Sequence, residues 1–252
     1  AASDVYKRQI MTFTALLIKE LRLRLRRERF VWVIIVYLLI MSLLGFAYLE
    51  QASAFSGNQV TLLSRVGGTL YDILSVVQLL LIVFITPAFT ATAINGEKER
   101  QTFDLLLCSS LSSFSLLAGK LIAGLANALI LIAASLPLFS LVFFFGGVSP
   151  SQVGSAIIVY VVTAITAGTF GLFCSTLVNR PAVSTVVSYL FCVLWLLTPW
   201  ISFLFFGGIF FLNVTASPPP QLLLWNPLVA LISTLPGGQS IGAFVFRGRS
   251  FE

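Results

Sequence analysis

The chain has 252 residues, of which 58% are hydrophobic and 10% charged, and its formal net charge is +6. A soluble domain carries roughly 25% charged residues, so this composition excludes a chain that covers itself in water and points to an integral membrane protein. The bases are bunched rather than interleaved along one face, which suits lipid headgroups and argues against a nucleic-acid groove.

Residues 1–10 precede Met11 and lack the apolar core of a signal peptide. They are expected to be a non-native leader, with 11–252 forming a single membrane domain. Thr12–Arg29 follows, with Phe13, Leu16, Leu17, Leu21 and Leu25 at helical spacing and Lys19, Arg22, Arg26 and Arg29 roughly opposite. This pattern predicts an amphipathic helix over 12–29. It would lie in the cytoplasmic membrane interface, its basic side chains anchored among the lipid headgroups. A plain positive flank that sets orientation is compatible with the same residues.

Phe30–Tyr48 is the first predicted span, close to the roughly 20 apolar residues a bilayer needs. Leu49–Asp72 contains Gly57-Asn58 and Gly67-Gly68 and is expected to sit outside. It carries one base, Arg65, whereas bases crowd before the first span and recur at Lys98 and Arg100. That asymmetry places the N-terminus in the cytoplasm. Ile73–Ile94 is the second span, with Pro87 inside it.

At Ala93–Lys120 the pattern changes. Glu97, Lys98, Glu99, Arg100 and Asp104 crowd together between two apolar runs. A short cytoplasmic segment of both charge signs, 95–113, can dock a soluble partner. A solvated loop is the plainer alternative.

Leu116–Phe145 holds the third span, with Pro137. Gly146–Gln152 is an outer turn, and Val153–Val178 is the fourth span. Ala164, Ala167, Gly168 and Gly171 on that span would admit close helix packing. Asn179-Arg180-Pro181 is an inner turn. Ala182–Leu212 is too long for one straight crossing, so Pro199 is expected to break it. Residues 213–252 read as an outer region in which Leu222–Phe246 forms short re-entrant helices, a return crossing being the alternative. The fold class is thus all-α: a polytopic helical bundle of five transmembrane helices.

The chain has no histidine, and Cys108, Cys174 and Cys192 are scattered without metal or disulfide spacing. No charge lies between Lys120 and Arg180, or between Arg180 and Arg247. A proton- or ion-coupled carrier would lack its usual carboxylate there, and a serine nucleophile would lack a histidine base. The chain is therefore expected not to be an enzyme, and any energy for transport must come from outside it. An ATP-independent channel or carrier, and a structural scaffold, are the alternatives.

At these residues the sequence resembles the permease subunits of type-2 ABC transporters. The likeness runs through Glu97-Lys98-Glu99-Arg100-Gln101-Thr102, Leu105-Leu106-Leu107 and Gly119-Lys120, and extends to Trp225-Asn226-Pro227-Leu228. The family often has Gly where this chain has Gln101, and Thr-Pro or Ser-Pro where it has Ser109-Ser110. The resemblance implies a six-span subunit, the sixth expected beyond this chain, that forms a homo- or heterodimer. It also implies a plasma-membrane exporter that docks a separate ABC ATP-binding subunit. Gly96, Glu97, Lys98, Glu99, Arg100, Thr102, Leu105 and Leu106 would form the coupling interface: the charged residues shape and contact, Thr102 caps, and the leucines seat in the partner's cleft. ATP and Mg would bind on that partner, with no cofactor in this chain. Leu235-Pro236-Gly237-Gly238-Gln239 looks like an LSGGQ signature, but without a GxxxxGK[ST] loop it reads as a chance match.

Overall fold

The computed structural model describes residues 28–53, 59–99, 101, 113–204 and 225–235. Among them every regular element is a helix. These are α1 (Glu28–Ser53), α2 (Gln59–Thr90), α3 (Asn95–Glu99), α4 (Ser113–Phe145), α5 (Pro150–Leu177), α6 (Pro181–Leu204) and α7 (Pro227–Ile232). Five helical stretches are long and apolar enough to cross a membrane: Val31–Gln51, Ser64–Glu99, Leu117–Phe145, Pro150–Leu177 and Pro181–Ser202. In hydrocarbon a helix satisfies its own backbone, which is why apolar runs of this length take that form.

The boundaries follow local chemistry. Proline opens α5, α6 and α7, at the position where its missing N–H removes no intrahelical bond. Ser149 and Gln152 form a reciprocal cap before α5: the Ser149 amide donates to Gln152 Oε1 at 2.9 Å, and the Gln152 amide to Ser149 Oγ at 3.4 Å. Gly146 (φ 77°) and Gly147 (φ 88°) end α4 in the left-handed region. A Cβ on Gly147 would also fall 2.2 Å from the Ser64 carbonyl oxygen, so the turn needs glycine there on two counts.

Most of Leu49–Asp72 is helix: α1 runs on to Ser53 and α2 begins at Gln59. Its Gly and Asn residues are outweighed by Val60, Leu62, Leu63, Leu70 and the apolar run after them, which lets helix propagate through the segment. One expectation is corrected: Pro199 does not break the fifth span, since α6 continues to Leu204. Proline at 199 leaves the Trp195 carbonyl without its i+4 donor. The Asn226 side-chain amide takes that place, donating to the Trp195 carbonyl at 2.6 Å, and the Thr198 hydroxyl donates to the same oxygen at 2.7 Å.

The chain divides into two compact units. One comprises Ala1–Leu38, Ile82–Ala134 and Ala164–Leu190, the other Leu39–Leu81, Ser135–Thr163 and Phe191–Glu252. In the second, Tyr71 donates to the Gln152 carbonyl at 3.1 Å and packs edge-on against Phe139, and Tyr160 donates to the Ser75 carbonyl at 3.1 Å. Asn226 there does two jobs: its Oδ1 accepts from the amides of Leu228 and Val229, capping α7, while its Nδ2 serves α6. Trp195 Nε1 returns a bond to the Trp225 carbonyl at 2.9 Å. The short helix α7 is thus pinned to α6, and the rest of Leu222–Phe246 lies outside the described residues apart from Trp225, Asn226 and Ser233–Leu235.

In the first unit, α2, α4 and α5 meet at Thr90. A Cβ on Gly124 would lie 2.5 Å from Thr90 Cγ2, and one on Gly171 would lie 2.3 Å from Thr90 Oγ1. Ala164 and Ala167 are buried on the same helix as Gly171. The small residues read from the fourth span thus do bring backbones together.

Candidate functional site: the elbow between the second and third spans

In this first unit α2 stops at Thr90. A turn over Ala91–Ile94 leads to the single helical turn α3. A break in a helix frees backbone donors and acceptors, and in a membrane protein these must be satisfied by other parts of the protein. Side chains from three helices meet this need. Ser184 on α6 donates to the Ala91 carbonyl at 2.8 Å. Lys120 on α4 donates to the Ala93 carbonyl at 3.0 Å. Ser175 on α5 accepts from the amides of Ile94 and Asn95 at 3.0 and 3.2 Å. Ser175 and Ser184 are fully buried, so these two hydroxyls serve the helix break and not solvent.

The charged residues divide by direction. Lys120 Nζ lies 2.5 Å from Glu97 Oε1; the lysine side chain is 3% exposed and that of Glu97 26%. Lys98 Nζ reaches the Thr176 carbonyl at 3.2 Å. Glu99 and Gln101 are exposed. Gln101 has φ 56°, in the left-handed region. Gly96 stands in open space, where a Cβ would meet nothing within 4 Å.

Of the residues singled out in sequence, Gly96, Glu97, Lys98 and Glu99 are brought together on α3. Glu97 faces the protein interior and Glu99 the outside. Arg100, Thr102, Leu105 and Leu106 lie outside the described residues, as do Lys19, Arg22 and Arg26. Arg29 is the second residue of α1. Sequence reasoning missed the parts played by Lys120, Ser175 and Ser184. For Lys120 the signal was there: it is the lone charge between Asp104 and Arg180. For the serines only their buried setting reveals them.

This arrangement is a short charged helix tied by side chains of three spans, with Glu99 exposed. Among the described residues no group of His, Cys, Asp and Glu has the spacing to hold a metal ion. Residues 57–235 match the family model of the ABC-2 family transporter proteins, well over half of the chain. The chain belongs to that family. It is a multi-pass membrane permease of an ABC transporter, a class of membrane transport component that associates with an ABC ATP-binding subunit. No curated protein matches the permease as a relative.

Proposed function

We propose that this permease is the membrane-spanning subunit of an ATP-driven exporter, worked from the cytosol through the elbow at Ala91–Gln101. The observation that supports this best is the triple anchoring of the elbow. A solvated loop needs no attachment, whereas a lever must be fixed at its base, and Lys120, Ser175 and Ser184 fix this one to three spans. ATP and Mg bind on the ATP-binding subunit, and this chain supplies no nucleotide site. The elbow lies in the cytoplasm of a plasma-membrane protein, and the bases of 12–29 lie on the same side among anionic headgroups. A second permease copy, or a homologous chain, completes the path. The apolar face of α1 suits that contact or lipid, since Trp32, Leu39, Leu43 and Phe46 are exposed within the chain.

Purification of the tagged permease in mild detergent tests the reading. It should recover a subunit carrying a phosphate loop and an LSGGQ signature. The double substitution Glu99→Lys and Arg100→Glu should cut that recovery by about tenfold, the scale of a truncated interface contact, and leave the permease itself intact. Undiminished recovery would remove the elbow from the interface. Recovery of no such subunit, with ion-driven transport by the chain alone, would favour a secondary carrier.

A further inference from the structure

We propose that Lys120 is a positioning residue that latches α3 to the third span, so that the elbow and α4 move as one body. The latch stands on geometry alone. Its part in coupling rests on the function proposed above.

Lys120 lies near the start of the candidate span Leu117–Phe145 and is almost completely buried. An ionisable group in such a place needs compensation, and its partner marks a functional arrangement. Among the described residues its ammonium bonds two different parts of the elbow. One goes to the Ala93 carbonyl, in the turn where the helix breaks; the other goes to the Glu97 carboxylate, on α3 itself. A neutral donor would satisfy the first. The second is charge-assisted, because Glu97 supplies the opposite charge.

The consequence is mechanical. Swinging α3 about the Ala91–Ile94 turn would carry Glu97 away while Ala93 stayed, separating a buried ammonium from this counter-charge. Leaving a buried ammonium without its partner is strongly unfavourable. The turn, which alone would serve as a hinge, is thereby locked. Ser175 adds a second, neutral attachment from α5 through the Ile94 and Asn95 amides. Force on α3 is then delivered to the spans and not absorbed in the turn. Lys98, bonded to the Thr176 carbonyl, reinforces the same direction.

Hydrogen exchange of the full chain in lipid nanodiscs, with no ATP-binding subunit present, tests the latch. Glu97→Gln and Lys120→Met should each speed exchange at the Ile94–Lys98 amides by about tenfold or more. The Leu228–Ile232 amides, held by the Asn226 cap, should stay within about twofold. The reversed pair, Glu97→Lys with Lys120→Glu, should exchange more slowly at Ile94–Lys98 than either single variant, because it restores the opposite charges. The proposal is overturned if the single variants exchange like the unsubstituted chain. It is equally overturned if the reversed pair is as fast as they are, or if the Leu228–Ile232 amides accelerate to the same degree. Because no partner is present, this outcome is independent of the docking reading. Normal partner loss in the Glu99 and Arg100 variant with no change in exchange here would sink the latch and leave docking standing.

Discussion

Gln101 carries the backbone strain visible at the elbow. Its φ of 56° is one that a side chain disfavours and that glycine adopts freely. Glycine would meet this backbone demand freely, whereas this chain meets it with a penalty. Gln101→Gly should relieve it. Against the extra unfolded-state freedom of glycine, the net gain should be about 0.5–1 kcal/mol. Thermal unfolding in detergent should show a midpoint raised by about 1–4 °C. A lowered midpoint would mean that the Gln101 side chain contributes more than its backbone costs. At the same scale Glu97 and Glu99 look alike in sequence, two carboxylates in a Glu-Lys-Glu run. Helical geometry separates them: two residues apart on a helix is about 200° around its axis. One faces Lys120 and the other faces outward.

At the scale of elements, α6 and α7 depend on one asparagine. Asn226 donates across a gap of more than 25 residues to the carbonyl that Pro199 leaves free, and it caps α7 with its other end. Asn226→Asp keeps the cap acceptor and removes the donor. It should destabilise the chain by about 1–3 kcal/mol, the cost of leaving a buried carbonyl short of its partner and setting a carboxylate beside it. Adding Pro199→Ala returns a backbone N–H to Trp195, and the double variant should recover part of that loss. A double-mutant cycle with strictly additive effects would contradict the link. This pair also shows where sequence reading stopped. Apolar run length placed all five spans, and the small residues of the fourth span correctly foretold close packing at Gly171. The charged run located the elbow. A proline inside an apolar run, however, reads as a break, because its compensation comes from a residue distant in the chain. The same holds for Lys120, whose bond to Glu97 spans 23 positions. In Leu49–Asp72 the Gly-Asn and Gly-Gly pairs are loop signals, but the apolar residues between and after them favour helix.

On the proposed function, the whole molecule is a gate with its handle built in. Helices α4, α5 and α6 each contribute one side chain to the base of the handle, so a push there reaches three spans at once. No charge lies between Lys120 and Arg180 or between Arg180 and Arg247, and Asp72 is a carboxyl inside the candidate span Ser64–Glu99. The central claim is that α3 is where the ATP-binding subunit seats. In-cell photo-crosslinking from position 99 tests it most directly, with position 144, an exposed phenylalanine at the far end of α4, as the control. The account predicts a crosslink from position 99 to a protein bearing a phosphate loop and an LSGGQ signature, and none from position 144. Capture of that subunit from position 144, with position 99 silent, would contradict it.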